Sequence, residues 1–275
     1  MENLQNMLLA AREENYAVGA FNVYNVEDMT AVLNAAEKKQ HPVILMTTSS
    51  AVEHTGIEEL SFIAHKKTEN ISVPAALHLD HATDFDLIVK AIKAGYSSVM
   101  FDGSSLSYSE NIDRTREIVK MAEPVNVSVE GEIGRVGGAE DSHRPQETVL
   151  SDPEKVKEFC EKTGVDACAV SIGTQHGMQK QEADIDFEVL NQIRKAVKTP
   201  LVMHGSSGVS DEDVKRVSQG KIQKINIGTR LKRVFTDELR EKLENYPDVH
   251  NHVEFLQHSM KALEKEVMKK IELMR

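Results

Sequence analysis

Eight short apolar, β-branched runs recur along the chain, each followed by a longer charged segment of helical period. This alternation restricts the fold more than any other feature. The runs are AVGAFN (17–22), PVILMT (42–47), VPAALHL (73–79), SSVMFD (97–102), VNVSVEGE (125–132), DACAVSIG (166–173), TPLVMHG (199–205) and IQKINIG (222–228). Between them lie amphipathic stretches such as VEDMTAVLNAAEKK, FDLIVKAIKAG, PEKVKEFCEKTG and DEDVKRVSQG. Strand–helix alternation builds right-handed βαβ units around a mainly parallel sheet. Eight units in 275 residues favour a closed α/β barrel, the (β/α)₈ or TIM barrel, over an open doubly wound sheet.

Helix boundaries carry their own chemistry. Asp152-Pro153 and Ser210-Asp211 read as an N-cap and first turn, while Gly95, Gly164 and Gly220 stand where a C′ glycine closes a helix. No Pro/Gly/Ser-rich linker divides the chain, so residues 1–275 read as one barrel domain. Two segments break the repeat. The polar stretch GGAEDSHRPQETVLSD (137–152) predicts a mobile loop over the top of the barrel. Residues 249–275 predict an extra amphipathic helix, a C-terminal extension that caps the barrel or meets another subunit.

The net charge of −11 argues against a nucleic-acid partner, which would want a basic patch. A phosphate-bearing ligand must then be gripped locally, by backbone N–H groups, a helix N-terminus or a metal. The opening MENLQNMLLAAREENYAV is an amphipathic helix with internal charges and reads as no targeting signal. No apolar run is long enough to span a membrane. The two cysteines, Cys160 and Cys168, form no metal pattern and read as buried thiols in a reducing cytoplasm.

In such barrels the functional groups sit at the C-terminal ends of the strands. Those ends supply Asn22, Thr48, Asp80, His81, Asp102, Glu132, His176, His204, Gly205 and Asn226. So many polar groups around one axis are costly without a purpose. Of the 11 histidines, His81, His176 and His204 fall at the ends of the third, sixth and seventh strands. Three imidazoles with one open position are the usual form of a catalytic zinc site. Asp80 precedes one proposed ligand and reads either as a base beside a polarised carbonyl or as an orienting partner of a histidine. Asp102 and Glu132 read as partners of ligands or as alternative metal ligands. Glu140, in the polar loop, reads as a second acid/base delivered on closure. His78 is expected to pack inside the barrel.

A second signal concerns phosphate. The seventh strand runs into His204-Gly205-Ser206-Ser207-Gly208-Val209-Ser210, and the eighth into Asn226-Ile227-Gly228-Thr229. Small-residue turns after strands seven and eight, one opening a helix, match the standard barrel phosphate site.

Six segments together, YAVGAFNVYN, LHLDH, VEGEIGRVGGAED, SIGTQHG, LVMHGSSGV and KINIGT, resemble the class II, metal-dependent ketose-bisphosphate aldolases over residues 1–235. The resemblance implies Zn²⁺ on His81, His176 and His204, proton exchange by Asp80, and a proton-transfer role for Glu140. It implies contacts to dihydroxyacetone phosphate from Gly177, Gly205, Ser206, Ser207, Asn226 and Thr229. It also implies a monovalent cation, Na⁺ or K⁺, near the phosphate, and a homodimer or homotetramer. The expected reaction is reversible cleavage of a ketose phosphate to dihydroxyacetone phosphate and an aldehyde through a zinc-stabilised ene-diolate.

Substrate choice within the resemblance is open. Thr48 and Gly228 look more like the tagatose-bisphosphate branch than the fructose branch. DGSS replaces the family's DGSH or DASH, so Ser105 stands where a histidine is usual. The family's C-terminal DPRxY arginine, which reaches the far phosphate, is missing, and Asn251-His252-Val253 stands there. Losing a bidentate guanidinium is not a conservative change. The aldehyde half is then either unphosphorylated or held by His252, His258 or Arg230. Two rivals remain: a Schiff-base aldolase using Lys221 or Lys224, and a non-catalytic phosphosugar-binding subunit.

Overall fold

The computed structural model describes residues 1–138, 147–178 and 180–275. The expected Glu140 lies outside the described residues. In chain order the strands are β1 (Val18–Asn22), β2 (Val43–Thr47), β3 (Ala75–Ala82), β4 (Ser98–Phe101), β5 (Ser128–Ile133), β6 (Gly137–Gly138), β7 (Ala167–Val170), β8 (Gln175–His176), β9 (Leu201–Met203) and β10 (Lys224–Ile227). The helices are α1 (Leu4–Glu14), α2 (Val26–Lys39), α3 (Ser49–Thr55), α4 (Ile57–Thr68), α5 (Phe85–Ala94), α6 (Tyr108–Ala122), α7 (Pro153–Thr163), α8 (Phe187–Ala196), α9 (Asp211–Ser218), α10 (Thr229–Asn245) and α11 (His252–Met274).

All eight expected runs form the wall of a closed parallel barrel, in the order β1-β10-β9-β7-β5-β4-β3-β2. The fold is a (β/α)₈ barrel with an extra C-terminal helix. Helix ends follow the sequence chemistry. Asp152 accepts from the Glu154 and Lys155 amides to open α7, and Gly164 closes it at φ 74°. Ser210 caps α9 through the Asp213 amide, and Gly95 closes α5 at φ 95°. These bonds satisfy end groups that the helical ladder cannot reach.

Because strand side chains alternate, each strand sends every second residue inward. The register carries that face around the barrel: Met46 pairs with His78, His78 with Ser98, Met100 with Glu130, Glu130 with Ala167, and Lys224 with Val202. The lower interior is apolar. Val18, Ala20, Ile44, Met46, Ala76, Ala167, Ala169 and Val202 form one cluster with Leu4, Met7, Leu8 and Ala11 of α1, which plugs the barrel floor. Leu4 and Leu8 are fully buried, each contributing roughly 1.5–3 kcal/mol. A second, larger cluster fills the layer between the outer strand faces and the helices. α11 packs on α2 and α10 rather than over the barrel mouth, and the Met274 carbonyl accepts the Ala17 amide at 2.9 Å.

The segment expected as a loop over 137–152 is partly structured. Gly137 and Gly138 pair with Gln175 and His176 as a two-strand parallel ladder. Arg135 and Val149 form an antiparallel bridge. His176 therefore does not end the sixth barrel strand, which stops at Val170; it stands on the separate β6–β8 ladder above it.

Candidate active site

The upper interior of the barrel is polar where the lower half is not. The inward positions of β3, β5 and β10 are His78 and Asp80, Glu130 and Glu132, and Lys224 and Asn226, all buried. Small neighbours at Ala20, Ala167 and Ala169 leave volume for these longer side chains.

Strand alternation alone would turn His81 away from the axis that Asp80 faces. The backbone prevents this: His81 takes φ 47°, and the β3–β4 register shifts between Leu79 and Ala82. A left-handed histidine inside a bulge is uncommon and costs on the order of 1 kcal/mol. It presents two consecutive side chains, Asp80 and His81, to one site.

His81, His176 and His204 meet there. Their ring centroids lie 4.6 Å (His81–His204), 5.1 Å (His81–His176) and 5.9 Å (His176–His204) apart. One ring nitrogen of each lies within 4.8 Å of the others, so the three can hold a metal ion. On His81 and His204 the second ring nitrogen faces a carboxylate, as a metal site requires. Asp102 Oδ2 lies 3.0 Å from His81 Nδ1, and Glu130 Oε1 lies 2.9 Å from His204 Nε2. A carboxylate on the far nitrogen fixes tautomer and ring orientation and leaves the other lone pair for an ion. His204 Nδ1 is buried with no hydrogen-bond partner among the described residues, which a bound cation would remedy. The donor set of three imidazoles suits zinc.

Asp80 is fully buried, and its two oxygens each accept from Asn226 Nδ2 at 3.2 Å. Burial opposes its charge, but the His81 imidazole, His78 and Lys224 outweigh burial and hold the carboxyl well below the usual range. Asp102 is partly buried, which opposes its charge, but its bond to His81 keeps the carboxyl low. Burial works against Glu130 too, yet Lys224 and His204 lower it to about 2. Glu132 goes the other way: burial and the Asp102 charge push it well above the carboxylate range. Its Oε2 lies 3.6 Å from His204 Nδ1, where a divalent ion would reverse that push. His81, Asp102 and Glu132 also form a candidate ligand group, so both sequence readings of these carboxylates stay open.

Beside the histidines lie the two small-residue turns. Gly205 takes φ 66° and leads into a 3₁₀ turn over Ser206–Gly208. A Cβ on Gly205 would meet the Gln175 backbone at 2.7 Å, so this turn is pressed onto the strand that carries His176. Ser206 Oγ donates to the Asn226 carbonyl, tying the turn after β9 to that after β10. α10 then starts at Thr229, with Gly228 offering no side chain to cap it. Gly228 also leaves room for Asn22, whose Oδ1 would sit 2.9 Å from an added Cβ. Behind the turns a cavity of ≈ 240 Å³ is lined by Ser206, Ser207, Thr229, Arg230, Arg233 and Lys270. The same wall carries Asp211 and Glu266, which pair with Lys269, Lys270 and Arg230. Asn22 Oδ1 and Asn226 Oδ1 are buried acceptors with no partner among the described residues, fit for substrate hydroxyls. Thr48, after β2, bonds to Ser50 Oγ at 2.9 Å. Gly177 follows His176 at φ 71°.

Glu130 and Lys224 escaped the strand-end reading as site residues because they sit one inward step below it. The signal was present in the alternation Ser128-Glu130-Glu132 and Lys224-Asn226, which place three and two polar groups on one face.

Comparisons agree with this geometry. The family model for fructose-bisphosphate aldolase class-II matches residues 2–275. A sulfofructosephosphate aldolase from Alkalicoccus urumqiensis is 36% identical over 269 residues, covering 97% of this chain and 92% of that protein. The crystal structure of the YdjI aldolase from Escherichia coli K12 superposes with a TM-score of 0.86 at 32% identity, over 99% of this chain and 96% of that one. A Coccidioides immitis structure, described as a candidate fructose-1,6-bisphosphate aldolase, superposes at 0.89 with 28% identity, over the same shares. With the family match running nearly end to end, this chain belongs to the class II fructose-bisphosphate aldolases, a family of lyases.

Proposed function

We propose that the enzyme reversibly cleaves a ketose phosphate to dihydroxyacetone phosphate and an aldehyde, with Zn²⁺ held by His81, His176 and His204. The observation that carries this reading is the placement of Asp80, clamped by Asn226, against three converging imidazoles. When bound, the ion supplies Lewis acidity at the substrate carbonyl. The residues do the rest. Gly177, the Gly205–Ser207 turn and the Gly228–Thr229 turn hold the phosphate through amides and hydroxyls, helped by the N-terminal end of α10. Asn22 and Asn226 accept from substrate hydroxyls. In the direction of addition, Asp80 takes the proton from the carbon beside the carbonyl, and that carbon's electron pair attacks the aldehyde. The new alkoxide takes a proton from an acid, the role assigned to Glu140.

The Schiff-base alternative finds no support in its lysines. Lys224 Nζ is pinned 2.9 Å from Glu130 with no exposure, and Lys221 lies over the Phe187 ring, 5.4 Å from its centroid.

For the aldehyde half, the missing arginine favours a far end other than a plainly gripped phosphate. Arg230 is already paired with Glu266 at 2.9 Å and His258 with Glu238 at 3.0 Å; His252 stands exposed at the start of α11. Tagatose and fructose 1,6-bisphosphate, ketose 1-phosphates with uncharged tails and a sulfonated tail are the substrates to compare. A zinc-replete cleavage panel over these four classes tests the reading; equal inertness toward all of them would defeat it. We further place a Na⁺ or K⁺ ion by the phosphate turns, the enzyme in the cytoplasm, and the chain in a homodimer or homotetramer. No helix among the described residues is long and apolar enough to cross a membrane.

A further inference from the structure

Below the three histidines lies a second group whose ligand atoms cluster as a metal site's do: His78, Asp80 and Glu130. It is filled from within. Lys224 Nζ lies 2.9 Å from Glu130 Oε2, 3.5 Å from His78 Nε2 and 4.0 Å from Asp80 Oδ1. All four residues are 0% exposed. His78 Nδ1 lies 2.7 Å from Ser98 Oγ, so a proton there leaves Nε2 as an acceptor for the ammonium. The other oxygen of Glu130 faces His204 Nε2 at 2.9 Å. One ammonium, one carboxylate and one imidazole therefore form a chain, Lys224–Glu130–His204, that ends at an ion-facing nitrogen.

A buried carboxylate stays charged only if something neutralises it. Glu130 Oε1 accepts from His204 Nε2 and so leaves Nδ1, which has no hydrogen-bond partner among the described residues, to face the ion. We propose that Lys224 is a positioning residue for the metal: its ammonium is a fixed internal cation that holds Glu130 against His204 and so sets how tightly the three-histidine site retains its divalent ion. This rests on the zinc reading above.

The test follows release of zinc from the loaded enzyme into a colorimetric chelator. Lys224→Met and Glu130→Gln should each speed release about 10- to 100-fold, with KM for the sugar phosphate unchanged because the phosphate turns are untouched. The double variant should release no faster than the faster single one, since both changes break one chain. Release from Lys224→Met at the wild-type rate, or a double variant whose effect is the product of the two, overturns the proposal. If Lys224→Met fails to fold, histidine side-chain ¹⁵N spectra of the zinc-loaded wild-type protein decide. His204 bound through Nδ1 with Nε2 protonated supports the chain, and His204 bound through Nε2 overturns it. A wild-type protein that holds no divalent ion sinks the functional reading as well, whereas tight zinc indifferent to Lys224 sinks this inference alone.

Discussion

Asn226 Nδ2 stands 3.2 Å from both oxygens of Asp80, so one amide fixes the plane of a buried carboxylate. A base held this way transfers protons without first being reoriented. Asn226→Ala should therefore lower kcat by about 10²-fold while zinc content stays at the wild-type level. Asp80→Ala should lose about 10²- to 10⁴-fold and still bind zinc. Metal analysis beside steady-state kinetics checks both; loss of zinc in either variant would assign these residues to metal binding instead.

Removing the metal should abolish cleavage. Prolonged dialysis against a strong chelator should leave less than about a hundredth of the activity, and added zinc or cobalt should restore it. The (β/α)₈ core does not need the ion, so far-UV circular dichroism should change little on removal. Activity surviving complete metal loss would count decisively against the zinc reading.

Gly205 offers a structural test. Its positive φ and the 2.7 Å approach of an added Cβ to the Gln175 backbone leave no rotamer by which Gly205→Ala can relax. The substitution should cost about 1–3 kcal/mol in urea unfolding and raise KM for the phosphate substrate, because the turn after β9 must lift off the strand carrying His176. Unchanged stability would mean the two backbones are not in contact in solution.

Asp28 supplies a pH dependence away from the histidines. It is buried beside the N-cap of α2 and accepts the Tyr24 amide at 3.0 Å. Burial raises it to about 6, above its unfolded value. The folded chain thus holds this proton more tightly than the unfolded chain. The corresponding stabilisation is present below about pH 4 and is lost as pH rises through about 6. Asp28→Asn should remove this dependence. The stability difference between variant and wild type should shift in favour of the variant by up to roughly 3 kcal/mol from pH 4 to pH 7. A flat difference across that range would rule out the raised carboxyl.

The eight strands were legible because β-branched runs and capping residues act over a few neighbours. The meeting of His81 with His204 was legible because strand ends converge in any closed barrel, whatever the intervening loops. Three features were not. His81 reaches the site through a left-handed backbone, which no period-2 pattern encodes in a non-glycine residue. His176 stands on a two-residue ladder with Gly137 and Gly138, too short to have a hydrophobic period. Lys224 and Glu130 meet only after the barrel closes, since their partners lie 94 positions apart in the chain and the local sequence cannot say which inward faces will oppose each other.

The hydrocarbon stopper formed by α1 has an electrical consequence. Met7 and Leu8 fill the barrel end beneath the buried charges, so the field between Lys224 and Glu130 acts across a medium that water does not dampen. A packing lesion there, such as Leu8→Ala, would admit water to the underside of the barrel and be felt as slackened attraction between Lys224 and Glu130. The floor of this barrel thus serves as insulation for the chemistry at its mouth.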